Sequence, residues 1–203
     1  MPVFGEKGLF RLDTEKSSYW LRVTPFGHLE HIHFGARLGE DDPSPLAVKR
    51  TLPYGSAVIY SEEDPAYCLD SLCLEWSAPG RGDYRQSPCE IKMPDGSFVA
   101  DFVYRGHKII PGCVAMDCLP GAYGEADCGG VETLRIDMED KLFPGLRLSL
   151  YYTVFPETDV ISRRSVIHND GKKDVSLRKF MSMSMDMSAP ALDMHTFDGG
   201  WIK

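Results

Sequence analysis

Carboxamide side chains are almost missing from this chain: its 203 residues include one asparagine, Asn169, and one glutamine, Gln86. A site built on several buried amides is thereby excluded, and Asn169-Asp170-Gly171 is not a glycosylation sequon. Basic charge is short as well. Twenty-two Lys and Arg against 30 Asp and Glu give a formal charge of −8, which repels a polyphosphate backbone and argues against a nucleic-acid partner. No stretch approaches the ~20 apolar residues of a membrane span, and the opening MPVFGEKGLFRLD has neither a basic n-region nor a continuous apolar core. A cytoplasmic location with no membrane partner is the expectation. Cys68, Cys73, Cys89, Cys113, Cys118 and Cys128 form no CxxC pair, so neither a zinc site nor a thioredoxin-type motif is signalled. Reduced, structural thiols are expected, and no cofactor is implied. A nucleophile elbow, an HExxH helix and the kinase signatures are all missing.

What is present is an apolar fraction of 43%, enough for one sizeable core. Leu9 to Asp13 and Tyr19 to Thr24 alternate apolar with polar residues, the period of half-buried strands. Pro25-Phe26-Gly27 turns the chain, and the alternation resumes over His28 to Phe34, placing Leu29, His31 and His33 on one face and His28, Glu30, Ile32 and Phe34 on the other. Residues 39–90 differ: dense in Pro, Gly, Asp and Ser, they read as a long ordered loop, a class of segment that is usually functional or interfacial. Strand character returns at Ile91 to Met93 and, after Pro94-Asp95-Gly96, at Ser97 to Tyr104, the pattern of a hairpin. Arg105-Gly106 reads as a turn before His107 to Ile110. A second loop runs to Gly130, and Val131 to Met138, Leu146 to Phe155, Val160 to His168 and Val175 to Met187 follow as an antiparallel meander. No convincing amphipathic helix longer than two turns appears. The fold class is all-β, a sandwich in one domain spanning 1–203. A (β/α)8 barrel, which takes roughly 250 residues, is excluded.

Several constellations carry potential chemistry. Met181, Met183, Met185 and Met187 alternate along an expected strand, which suits a core stripe better than a soft-metal site because no Cys or His accompanies them. His31 and His33 share an expected face, but no third metal ligand is fixed. Pro79 to Arg85 lacks the phosphate-loop pattern. Asp83 and Arg85, one residue apart on an extended segment, read as fixed polar anchors for the long loop or for a partner surface. Trp76, Tyr84, Trp20 and Trp201 are candidates for sugar stacking, with burial favoured for tryptophan. Scattered acids nominate no glycosidase pair.

The order of these motifs resembles the N-terminal domain of bacterial family-36 α-galactosidases. The run SYWLRVTPFGHLEHIHFG is similar to the opening hairpin of that domain. Cys68-Leu69-Asp70-Ser71-Leu72 with Glu75-Trp76 resembles the family's LDTLPQEYP segment, and Gly82-Asp83-Tyr84-Arg85 with Pro88 its DFR-x-P segment. Arg105-Gly106-His107, Val131-Glu132-Thr133-Leu134, Val160 to Arg164 and Met181 to Asp186 match further motifs in register, nearly to the end of the chain. The resemblance implies an antiparallel β-supersandwich of galactose-mutarotase-like architecture, followed after residue 203 by a catalytic barrel. That barrel would carry both aspartates for retaining hydrolysis of melibiose- and raffinose-type α-galactosides, so no catalytic residue is expected here. It also implies oligomers in which a neighbour's N-terminal loop lends an Asp and an Arg to the pocket rim. The positions of that pair hold Pro53 and Pro65 in this sequence, leaving Arg50, Glu63 and Asp64 as substitutes. Expected partners are therefore the barrel, neighbouring subunits and an α-galactoside at a shared pocket, with Trp76, Asp83, Arg85, Arg50 and Asp64 as rim or interface candidates. Two other readings stay open: a free-standing galactoside-binding module, which would show galactose-dependent tryptophan fluorescence, and a mutarotase-like enzyme, which would exchange anomers through a histidine.

Overall fold

The computed structural model describes residues 1–39, 42–47, 49, 55, 58–116, 121–123, 130–186, 193, 195–197 and 199–200. Ten strands lie among the described residues: β1 (Val3–Glu6), β2 (Leu9–Asp13), β3 (Ser17–Val23), β4 (Leu29–Ala36), β5 (Cys89–Lys92), β6 (Phe102–Pro111), β7 (Glu132–Asp140), β8 (Leu146–Phe155), β9 (Val160–Asn169) and β10 (Ser176–Phe180). Among the described residues the only helical elements are the 3-10 turns Ser44–Leu46 and Leu69–Ser71. The strands form two four-stranded antiparallel sheets, β1-β2-β3-β4 and β6-β7-β8-β9, with a two-stranded β10-β5 ribbon beside them. The architecture is an all-β antiparallel sandwich, as the sequence indicates.

Inward stripes from both sheets interdigitate as period-2 patterning requires. Phe10, Leu12, Leu21 and Leu29 meet Leu134, Ile136, Leu148 and Leu150, all fully buried in one apolar cluster. The ribbon contributes Cys89 and Ile91 to the same core. A smaller apolar cluster of Tyr67, Leu69, Leu72 and Leu74 lies within the long loop itself. The strand β1 was not evident in the sequence. It closes on β2 through Lys7-Gly8, both at positive φ, as a two-residue type I′ connection demands.

Four expectations are corrected, each by a local backbone feature. Register along β3–β4 pairs Trp20 with His33 but Leu21 with His31, so Ile32 bulges out and the two histidines fall on opposite faces. His31 is buried inside the sandwich, whereas His33 shares the outer face with Trp20, itself buried there with its indole N–H donated to Asp13. Arg105-Gly106 is likewise a bulge within a continuous β6, not a turn. The Asp95-Gly96 turn does form, with Gly96 at φ 88° and its amide bonded to Met93 O at 2.9 Å. The chain beyond it, however, donates from Ala100 N to Pro79 O, and β5 pairs with β10 instead. Lastly, β10 stops at Phe180. Its continuation bonds Met181 N to Pro88 O, and Pro88 has no N–H to extend the ladder. Met181 and Met183 are consequently 44% and 41% exposed, and only Met185 packs against the core. Met187 lies outside the described residues, as do Cys118 and Cys128.

Close packing against Val99 leaves no room for a side chain at Gly80. Its φ is +95°, and a Cβ there would stand 2.6 Å from Val99 Cγ2 and 3.0 Å from Val99 Cα. Gly96 has a similar φ of +88° but open space around it. Gly80→Ala is expected to cost about 2–4 kcal/mol, and Gly96→Ala only the ~1–2 kcal/mol of the backbone conformation. Urea denaturation of the two variants checks the difference.

Candidate functional site

The long loop is held by three polar centres. The first grows from strand register. On β9, Arg163 lies opposite Tyr152 of β8 and so points into the sandwich. Segment 73–75 docks along the free edge of β4, with His31 N bonded to Cys73 O at 2.7 Å and Glu75 N to Leu29 O at 2.9 Å. That edge pairing thrusts Glu75 into the same interior, where its carboxylate meets Arg163 at 2.8 Å. Tyr19 and Tyr152 each donate a hydroxyl to Glu75 Oε1 at 2.7 Å, Arg163 also donates to the Glu75 carbonyl at 3.0 Å, and His31 Nδ1 stands 3.6 Å away. Burial alone pushes the Glu75 carboxyl up; the Arg163 charge, then His31 and Tyr152, outweigh it and hold it at about 2. Burial and the adjacent Glu75 charge raise the Tyr19 phenol well above its ordinary range, keeping it a donor.

The second centre is Arg85. A guanidinium has five N–H donors, and all five are used: Nε to Asp83 Oδ1 at 2.9 Å, Nη2 to Asp83 Oδ2 at 3.1 Å and to Leu69 O at 2.9 Å, and Nη1 to Leu72 O and to Asp186. Ser77 donates to Asp83 at 2.5 Å. One side chain thus ties the 3-10 turn Leu69–Ser71, the 83–85 segment and the chain after β10 together. Between these anchored residues stands Tyr84, its amide bonded to Asp70 at 3.1 Å and its side chain 71% exposed.

The third centre joins the loop to β6. His28 Nε2 pairs with Asp101 at 2.9 Å and its Nδ1 with the Tyr67 hydroxyl at 2.8 Å. Tyr60 donates to Asp101 at 2.9 Å and accepts from Lys141 at 2.9 Å, while Arg81 lies 4.9 Å over the Tyr60 ring. Burial raises the Asp101 carboxyl, but the His28 hydrogen bond and charge, with Tyr60 and Lys141, bring it below the ordinary range. Burial pushes the neighbouring Asp140 up even though three backbone amides donate to it.

Of the residues nominated from sequence, Asp83 and Arg85 are brought together as anchors. Trp76 is 4% exposed and packs on Phe180 with ring centres 5.8 Å apart, so it stands in the core and not at a rim. Burial wins because the indole joins the apolar core cluster with Tyr19 and Cys89, under Phe180. Asp64 caps its own turn through Ala66 N at 3.2 Å, apart from the Arg85 centre. Arg50, Pro53 and Trp201 lie outside the described residues. Glu75–Arg163 and His28–Asp101 were missed because their members are 88 and 73 residues apart in sequence; only the oddity of charged residues inside apolar-alternating strands could have flagged them. The described cysteines are free, with burial pushing Cys89 to about 12 and raising Cys68 and Cys73, which makes these thiols poor nucleophiles. Among the described residues no three His, Cys, Asp or Glu side chains gather as metal ligands.

The model of the glycosyl hydrolase family 36 N-terminal domain matches residues 27–203. The chain belongs to this family. Alpha-galactosidase AgaA of Geobacillus stearothermophilus is 29% identical over 195 residues, covering 95% of this chain and 26% of its own length. Alpha-galactosidase 2 of Hypocrea jecorina is 35% identical over 124 residues, 61% of this chain and 16% of its own. Among solved structures, the GH36 alpha-galactosidase AgaB of G. stearothermophilus superposes with a TM-score of 0.82 at 29% identity, over 91% of this chain and 25% of that one. The family 36 chain described here therefore spans about a quarter of the length of the full-length AgaA and AgaB relatives it matches.

Three outcomes follow from these anchors. Glu75 titrates near 4.5 when unfolded and near 2 when folded, so its contribution is complete above about pH 5 and is lost as pH falls toward 2, about 3 kcal/mol in all. Glu75→Gln should flatten that part of the acid-denaturation profile, and Arg163→Met, which strands the carboxylate, should cost about 3–5 kcal/mol at pH 7. Arg85→Lys keeps the charge but removes the guanidinium bonds to the Leu69 and Leu72 carbonyls, which then keep only the backbone donors Leu72 N and Leu74 N; a loss of about 1–2 kcal/mol is expected, with faster limited proteolysis within residues 69–85.

Proposed function

We propose that this chain is the non-catalytic N-terminal sandwich of a retaining α-galactosidase. In that reading it packs on a catalytic barrel, shapes the rim of the galactoside pocket through residues 39–90, and takes part in contacts between subunits. The observation that carries it is the pairing of near-complete coverage here with quarter coverage there: AgaA matches 95% of this chain with only 26% of itself. Solved relatives include a variant of AgaA in complex with raffinose, which supports raffinose-type α-galactosides as the substrate class of the parent enzyme.

The chemistry of the sandwich agrees. Retaining hydrolysis needs two carboxyl groups ~5 Å apart across an open cleft. Most of the buried acids are committed to partners within the sandwich: Glu75 to Arg163 and two tyrosines, Asp83 to Arg85 and Ser77, Asp101 to His28 and Tyr60, Asp140 to backbone amides, and Glu30 to Arg22 through one of its two oxygens. Structural carboxylates of this kind position a loop; they do not protonate a leaving group. The four cysteines among the described residues are free thiols, which suits a reducing, cytoplasmic setting.

The test is hydrolysis of p-nitrophenyl α-galactoside. The 203-residue chain is expected to show none and the longer reading frame to show turnover; activity in the short chain would contradict the proposal.

A further inference from the structure

Exposed apolar side chains gather around the Arg85 anchor. The chain after β10 runs antiparallel to the chain before β5, from Met181 N bonded to Pro88 O as far as Asp186 paired with Arg85. Along this seam Met181, Met183 and Tyr84 are all exposed. On the other side of the 81–85 turn, Gly82 lies against Val58, where a Cβ would approach to 2.8 Å, and Val58 and Ile59 are exposed in turn. Five apolar side chains from three segments thus border one rigid turn. The backbone of the turn that carries Tyr84 is fixed by the fully used Arg85 guanidinium and by Asp70 on the Tyr84 amide. An exposed tyrosine on an anchored backbone, together with adaptable methionines, is the composition of an interface centre, where part of the ordering cost is already met by the scaffold.

We infer that this patch, centred on Tyr84 with Met181, Met183, Val58 and Ile59, is the surface on which the covalently attached remainder of the enzyme docks. The inference rests on the function proposed above. The occupant is argued from length: about three quarters of relatives such as AgaA and AgaB lies outside the stretch matched here. Arg85 is a positioning residue for this surface, holding Asp186 and Tyr84 in one frame.

The full-length protein and the 203-residue chain are compared by peroxide oxidation of Met181 and Met183 and by hydroxyl-radical labelling of Tyr84, each followed by peptide mass spectrometry. Oxidation and labelling at least tenfold slower in the full-length protein, and unchanged on dilution, are the expected result. Equal rates overturn the inference, and so does protection of the short chain that grows with its concentration, which would assign the patch to a second copy. A second measurement uses Tyr84→Lys with Met183→Lys: melting of the short chain should shift by less than 2 °C, while the full-length protein should lose several degrees. Equal shifts in both would show a role within the sandwich alone and overturn the inference. Hydrolysis of p-nitrophenyl α-galactoside by the same full-length sample separates the two claims. Turnover without protection removes the docking surface and leaves the function standing; protection without turnover does the reverse.

Discussion

A carboxylate sealed from water must find its counter-charge inside the protein, and Glu75 finds it in Arg163, 88 residues away in sequence. The pair ties the long loop, through Glu75, to β9, and its tyrosine donors come from β3 and β8, so a single carboxyl group touches both sheets. Desolvating such a pair is expensive, and apolar residues of the same volume would stabilise the core as well. What the ions add is register. Only one placement of segment 73–75 along β4 lets Glu75 reach Arg163, and that placement also brings Cys73 and Leu29 into backbone hydrogen bonds. The inward turn of Trp76 and Ser77 follows from it, and with it the position from which residues 81–85 depart.

Once Glu75 is seated, the other two centres divide the remaining loop between them. Arg85 gathers the 3-10 turn Leu69–Ser71, the 83–85 segment and Asp186; His28 and Asp101 fasten the Tyr60–Tyr67 segment to β4's entry and β6. The loop's own apolar cluster of Tyr67, Leu69, Leu72 and Leu74 fills the space between. Residues 58–88, with hardly any regular backbone pairing, are thereby tied to the strands at three points.

Much of this was legible in the sequence, and where it was not the reasons are physical. Strands β7, β8 and β9 stand out because Val, Ile, Leu and Tyr recur at period 2 between clear turn residues. The inward stripe of Leu146, Leu148, Leu150 and Tyr152 makes their register nearly obligatory. Bulges at Ile32 and Arg105 were invisible, since one unpaired residue leaves composition unchanged while reversing every face beyond it. The exposed methionines after Phe180 were misread for a related reason: alternation marks which side chains share a face but not whether a partner strand exists, and Pro88 removes the partner. Asp83 and Arg85 were found because they are neighbours in sequence. Glu75 with Arg163 and His28 with Asp101 depend on long-range closure, and no local pattern carries them.

The central claim is that polar anchors make the long loop part of the cooperative fold. Native-state hydrogen exchange at the amides of His31, Leu72 and Glu75 tests it most directly. The account predicts that these amides open only with the inner strands of the sandwich, with the same free energy and denaturant dependence as Leu148 and Leu150. Exchange of His31 and Glu75 through a local, denaturant-independent opening, at a fraction of the global free energy, would contradict it.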